Sequence, residues 1–297
     1  MKILVSGSHG FIGTILCDYL KHKGHTLLRL IRPTRIAKSD QVFWNPYEGF
    51  IDQTKLDDVD AVIHLAGENL FGRWTTKKKD AIYHSRIRGT ECLSEKLAAM
   101  PNKPRVLVCA SAIGYYGNRE DEECVELTDP GEGFLADLCH NWEAATEPAS
   151  EAGIRVVNLR FGVVLGKDGG ALAKMLTPFK MGMGGPLGDG QQWISWISLV
   201  DTVRAIEFAI NTEKLIGPVN VVSPNPVRNK EFAQTLGHVL HRPDVVPVPK
   251  RMLHFMFGEM ANQTLLASTK ALPQKLQRWG FEFSHPDLHT ALEDILD

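Results

Sequence analysis

Apolar and polar positions alternate along the chain in two rhythms. Ile3-Leu4-Val5, Leu27-Leu28 with Leu30-Ile31, Val42-Phe43-Trp44, Val59 to Gly67, Arg105 to Ser111 and Arg155 to Leu165 are apolar runs bounded by turn residues. Such runs predict strands buried on both faces, as in a parallel sheet. Between them the apolar positions recur at helical spacing. Phe11, Ile12, Ile15, Leu16, Tyr19 and Leu20 predict a helix directly after the first strand. Thr75 to Met100 predicts a long one, with Thr75 or Thr76 as N-cap and Ile82, Leu93 and Leu97 on one stripe. Gly133 to Glu147 predicts another, with Leu135, Leu138, Cys139 and Trp142 inward and Pro148 as its stop. Strands alternating with helices predict an α/β fold built as a doubly wound parallel sheet. Past Leu165 the rhythm breaks, at a Gly-rich stretch from Met181 to Gly190 that leads into Gln191-Gln-Trp-Ile-Ser-Trp196. Val219 to Val222 reads as a later strand, and Asn229 to Leu240 and the segments after Pro249, including Lys270 to Trp279, read as helical.

The first turn carries the strongest chemical signal. Gly7, Gly10 and Gly13 stand three apart between a buried strand and a helix. Gly7 suits a tight turn, Gly10 lets backbone approach a ligand, and Gly13 brings helix and strand close. The open N–H groups where Phe11 and Ile12 begin the helix point at an anion, so the stretch predicts a site for a dinucleotide's pyrophosphate. The second strand indicates which dinucleotide. An acidic residue about 20 positions past the glycines would hold a ribose 2′-hydroxyl, and an arginine there suits a 2′-phosphate. No carboxylate occurs from Lys21 to Ser39, and Arg32 closes the strand ahead of Pro33. NADP(H) is therefore favoured over NAD, with a solvated strand-end arginine as the plainer alternative.

Further along, the exit Ala66-Gly67 has no bulky side chain, so a flat adenine or ribose can lie against its backbone. His64 reads as a packed strand residue, and no neighbour completes a metal set. Arg86 and Gly89 fall on the buried stripe of the long helix. A buried arginine needs an anion, either the cofactor or a structural carboxylate. Lys77, Lys78 and Lys79 read as a solvated first turn. Groups at the carboxyl ends of parallel strands face the ligand crevice, which makes Ser111, Tyr115 and Tyr116 the nearest polar side chains to a nicotinamide. The loop from Glu120 to Glu132 reads as an acidic rim, and Gly182 to Trp196 as a lid or substrate wall, or else a surface loop with packed tryptophans.

Composition narrows the class. With 297 residues, 43% hydrophobic and 23% charged, the chain suits a globular protein. A net charge of -2 gives no pull towards nucleic acid or anionic lipid, so neither is expected as a partner. The five cysteines are odd in number and without CxxC spacing, which suits reduced thiols and a cytoplasmic setting. Met1 runs straight into a core strand and no apolar run nears the ~18 residues of a membrane span, so neither a signal peptide nor a membrane anchor is expected.

Gly7-x-x-Gly10-x-x-Gly13, His64-Leu-Ala-Gly67 and Tyr116-Gly117 together resemble the extended short-chain dehydrogenase/reductases, the NAD-dependent epimerase/dehydratase type. Ala66-Gly-Glu68, Arg73-Trp74, Ser85-Arg86, Gly114-Tyr-Tyr-Gly117, Trp142-Glu143, Gly162-Val-Val-Leu165, Gly184-Gly-Pro-Leu-Gly188 and Ser223-Pro-x-Pro-Val-Arg-Asn229 are similar to its epimerase-family subgroup, sometimes named as cell-division inhibitors. That subgroup ends in a small domain of unknown function, which about Pro249 to Leu296 resembles. The resemblance implies a Rossmann-type NADP-binding domain over residues 1–165, its sheet completed by later segments. It also implies substrate-side segments with the lid loop over 166–248, and a smaller, mainly helical C-terminal substrate domain over 249–297. It places Ile31, Arg32, Leu65, Ala66, Gly67, Glu68, Arg86 and Val164 near the cofactor. The superfamily's acid/base pair, a Tyr with a Lys four residues on, is missing where it is needed: only Tyr19 and Lys23 have that spacing, and no lysine occurs between Lys103 and Lys167. Counting back from Tyr116-Gly117 puts Ala112 where the active-site Ser or Thr belongs, and related chains have Trp-Ile-His where this one has Trp196-Ile-Ser198.

Two functions follow as expectations. One is an NADP-dependent oxidoreductase or epimerase on a carbonyl or hydroxyl compound, a nucleotide sugar among the candidates. Tyr116 would relay the proton and Ser111 would bind the developing oxyanion, with Glu143 and His140 as other proton sources. The other is a protein that binds NADP(H) and uses occupancy to order its Gly182 to Trp196 loop for a partner, without turnover.

Overall fold

The computed structural model describes residues 1–33 and 38–297. Its first half runs β1 (Lys2–Ser6), α1 (Phe11–His22), β2 (Thr26–Ile31), β3 (Gln41–Asn45), β4 (Phe50–Ile51), β5 (Ala61–His64), α2 (Thr76–Ala98) and β6 (Val106–Ala112). Then come β7 (Glu123–Cys124), α3 (Phe134–Ala144), α4 (Glu147–Glu151), β8 (Arg155–Phe161), β9 (Val163–Gly166), α5 (Gly170–Lys180), β10 (Trp193–Ile194), β11 (Trp196–Ser198) and α6 (Leu199–Asn211). The chain ends with β12 (Gly217–Val221), β13 (Val227–Arg228), α7 (Asn229–Val239), α8 (Lys250–Phe257), β14 (Lys270–Ala271), α9 (Gln274–Arg278) and α10 (Leu288–Leu296).

Eight strands form one sheet in the order β12-β8-β6-β5-β1-β2-β3-β4, parallel throughout except at the β3–β4 edge. From β1 the chain steps outward to β2 and β3, recrosses β1 to reach β5, and continues outward through β6, β8 and β12. That reversal leaves a crevice outside the carboxyl ends of β1 and β5, where this topology binds ligands. The strand side chains alternate between two layers. Ile3 and Val5 share a core with Leu16 and Leu20 of α1, while Leu4 packs with Leu93 and Leu97 of α2. None of the described helices is long and apolar enough to cross a membrane.

Several elements differ from the pattern-based reading, each for a local reason. The run from Arg155 to Leu165 is two strands divided at Gly162, where the Ser195 backbone approaches so closely that a Cβ would lie 2.5 Å from its carbonyl oxygen. β9 then leaves the main sheet to pair with β11. Pro148 does not simply stop a helix; it lies in the first turn of α4, where its missing N–H costs nothing. The segment from Lys270 to Trp279 is a strand pairing with β7 and then only a short helix, α9. α5 and α6 were not read from the sequence, although Val203, Ile206 and Ile210 give α6 a buried stripe. The C-terminal residues share the cores of the rest: Met260, Leu276 and Phe281 join the main sheet's core, and Leu288 and Leu292 of α10 pack with Trp196 and Phe232.

Candidate functional site

The glycine turn is built as its spacing requires. Gly7 has φ +69°, and a Cβ there would sit 2.7 Å from the Leu65 carbonyl. At Gly13 a Cβ would fall 2.1 Å from Gly7 O, so α1 lies against the turn with no room for a methyl. Gly10 caps α1 without a side-chain hydrogen bond, and the first turn has no acidic residue. The N–H groups at the start of α1 are thus left open to an anion. The Phe11 ring lies against Gly166, Gly169 and Gly170, where any Cβ would come within 2.3 to 3.0 Å of it. Phe11 therefore offers the site its backbone, while its ring docks α1 onto the β9–α5 turn. Ile12 is half-buried beside it.

The opposite wall is the exit of β5. The Ser6 hydroxyl bonds His64 Nδ1 at 2.6 Å and accepts the N–H groups of Leu65 (3.1 Å) and Ala66 (3.2 Å). Burial pushes the His64 imidazole down to about 4, so it stays neutral. Its role is to orient Ser6 and, through it, the backbone of Leu65 and Ala66. Behind Gly67 stands the Arg86 guanidinium, where a Cβ on Gly67 would be 3.2 Å from Cζ. Arg86 is buried, donates from Nη1 to Glu68 O at 2.9 Å and lies 5.0 Å from the Trp142 ring. Among the described residues Nε has no partner and no carboxylate reaches the group; the Glu68 side chain is taken by Lys78 at 2.7 Å. Burial draws the Arg86 pKa down to about 10. A buried guanidinium with an orphaned N–H fits an anionic or hydrogen-bonding ligand in front of Gly67. Ile31 is half-buried at the end of β2, Arg32 is exposed just past it, and Arg35 lies outside the described residues. Val164 is half-buried in β9.

At the end of β6 the structure assembles a group the sequence did not show together. Ser111 donates to Glu143 Oε1 at 2.7 Å. Arg160, from the β8 position beside Ser111, clamps the same carboxylate at 2.7 and 2.8 Å and has its guanidinium 3.5 Å from the Tyr115 ring centroid. Burial works against the charge on Arg160, but the clamp on Glu143 outweighs it and holds the pKa above its ordinary value. The Tyr116 hydroxyl is enclosed. It donates to Val125 O (3.0 Å) or Asn220 Oδ1 (2.7 Å) and accepts from Arg160 at 3.0 Å, and burial raises its pKa to about 12. With a fully buried side chain, Tyr116 has no route to the crevice for the relay expected of it. Ser111 is buried too, with its proton committed to Glu143. His140 is exposed. Arg160 and Asn220 were missed, although a charge inside the apolar run of β8 was a readable signal.

The Gly-rich loop is anchored as a wall. Val246 N–H donates to Gly184 O, Gly188 N–H to Val248 O and Leu187 N–H to Asn229 Oδ1, at 2.7 to 3.1 Å. Ser198 caps α6 by accepting Asp201 N–H at 3.0 Å and bonds His285 Nδ1 at 3.0 Å.

A family model described as the NAD dependent epimerase/dehydratase family matches residues 3–222. The chain belongs to this family. A second model, a domain of unknown function, matches residues 248–295. An epimerase family protein of Mycobacterium bovis is 43% identical over 98% of this chain and 96% of its own length. The crystal structure of a human epimerase family protein with NADPH superposes with a TM-score of 0.91 at 32% identity, covering 99% of both chains. A nucleoside-diphosphate sugar epimerase from Corynebacterium glutamicum matches at 33% identity and a TM-score of 0.82, over all of this chain and 58% of that one.

Proposed function

We propose that the protein binds NADP(H) in the crevice between Gly7–Gly13 and Leu65–Gly67 and exchanges a hydride between that cofactor and a carbonyl or hydroxyl compound, as an oxidoreductase or an epimerase. The observation that carries this reading is Arg86, a buried guanidinium without a carboxylate, set behind a glycine that leaves its ligand side bare. The uncapped start of α1 would hold the pyrophosphate, and Arg32 at the end of β2 favours the 2′-phosphorylated form. The human relative's NADPH supports the same choice. The bound cofactor supplies the hydride. The residues around it hold and orient: Ser111, buried and fixed by Glu143 and Arg160, shapes the end of β6, Tyr116 is structural, and the proton is drawn from solvent.

A second reading, an NADP(H)-binding protein without turnover, is favoured by one feature. Ser111, Glu143, Arg160 and Tyr116 all bond to one another or to the backbone, so no proton donor stands free among them. One experiment separates the two. Purified protein is titrated calorimetrically with NADPH and NADH, then incubated with NADPH and a panel of carbonyl compounds while the nicotinamide absorbance is followed. Tight NADPH binding with turnover that survives Tyr116→Phe supports the enzyme. Saturable binding with no oxidation across the panel supports the sensor, and no binding of either coenzyme refutes both.

A further inference from the structure

The segment from Phe255 to Leu266 crosses the carboxyl edge of the sheet like a strap. Arg73 Nη1, ahead of α2, donates to Phe255 O at 3.3 Å, and Lys79 of α2 pairs with Glu259 at 2.5 Å. Gln263 Oε1 accepts the N–H of Leu135 at the start of α3 at 2.8 Å. Gln192, from the anchored Gly-rich loop, donates to Leu265 O at 3.0 Å. The strap thus faces the helices that follow β5 and β6, above the strand ends where the proposed hydride exchange takes place.

The side chains brought to this place are apolar. Leu70, Phe134 and, from the strap itself, Phe257 and Leu265 come from three separate segments and are only half-buried. The Phe71 and Phe257 rings meet at 5.3 Å. The apolar surface continues outward over Phe71, Met252, Phe255 and Met256, the last two 82% and 48% exposed. Exposed apolar side chains grouped in this way mark a site for apolar matter.

Charge points the same way. Phe255 to Leu266 contains no lysine or arginine. Three of the lysines nearby are already engaged: Lys78 by Glu68, Lys79 by Glu259 and Lys250 by Asp189. Of the others at the rim, Arg73 holds the Phe255 carbonyl and the Lys174 ammonium lies 4.0 Å from the centroid of the Phe71 ring. A nucleoside diphosphate needs dedicated cations or open helix N-termini, and the strap offers it a carboxylate, Glu259.

We propose that the substrate is an uncharged ketone, aldehyde or alcohol on an alkyl or aryl body, bound between the strap and the starts of α2 and α3, and not a nucleoside-diphosphate sugar. This assignment rests on the NADP(H) reading above. The test first titrates the full-length protein with NADPH, which checks that reading by itself. The protein with NADPH is then titrated with 2-hexanone, 2-octanone and 2-decanone, and separately with UDP-glucose and UDP-glucuronate, following tryptophan fluorescence and heat. Ketone affinity is expected to rise about two- to fourfold per added methylene, with no saturable response to either UDP sugar. Phe257→Asp is expected to flatten the ketone series while NADPH affinity stays within twofold of the parent. Saturable UDP-sugar binding would overturn the proposal, as would a ketone series flat in the parent protein. Loss of NADPH binding in the first titration would instead sink the preceding reading.

Discussion

Replacing Gly13 by alanine tests the cradle most directly. The added Cβ would lie 2.1 Å from Gly7 O, against a practical floor of about 3.0 Å for such contacts, so the Gly7 turn must retreat by about 0.9 Å. The obstruction is backbone on both sides, Gly7 C and Ser8 Cα each at 2.9 Å, so no side chain can swing aside. A hydrogen bond of ordinary length stretched that far is no longer one. If two charge-assisted bonds to the pyrophosphate are lost at roughly 1.5 to 3 kcal/mol each, NADPH affinity falls by at least about 100-fold. Overpacking should also lower stability by about 1 to 3 kcal/mol. The assay is titration of NADPH fluorescence with the variant, after urea unfolding has shown that it is folded. Gly24→Ala is the control: φ there is +80° with nothing within 4 Å, so it should cost about 1 kcal/mol of stability and leave affinity unchanged. Gly13→Ala binding NADPH within threefold of the parent would refute the assignment of the cradle to the cofactor.

Three further outcomes follow from the same geometry. Arg32→Ala should weaken NADP by about 1 to 3 kcal/mol in calorimetry and leave NAD nearly unchanged, and equal losses would remove Arg32 from the phosphate site. Glu143→Ala strands the Arg160 guanidinium, 2% exposed, and should cost about 3 to 5 kcal/mol in urea unfolding, where a loss below about 1 kcal/mol would deny the clamp a structural role. His64 titrates near 4 in the folded protein against 6.5 unfolded, so the unfolded chain binds its proton first as pH falls. The resulting stability is complete above about pH 6.5 and lost between there and about pH 4, about 3 kcal/mol in all. His64→Gln should flatten that slope, and an unchanged slope would mean that another group carries it.

The sheet and the cradle were legible in sequence because both are short-range. A buried strand needs only its own apolar run, and the glycine turn is written within thirteen residues. Arg86 could be read as buried from its stripe, and Arg32 as a strand end without a carboxylate to rival it. Long-range partners were not legible. Whether Arg86 faces a carboxylate or a ligand depends on Lys78 having taken Glu68, and the fate of Tyr116 depends on Asn220, 104 positions away. The close backbone contact at Gly162 comes from Ser195, and the capping of α3 from Gln263. Local spacing fixes which backbone turns are possible, whereas burial and hydrogen-bond satisfaction are properties of the packed molecule. For that reason the phosphate cradle was evident from residues 1 to 15, and the polar group at the end of β6 and the strap above it became visible only in the folded chain.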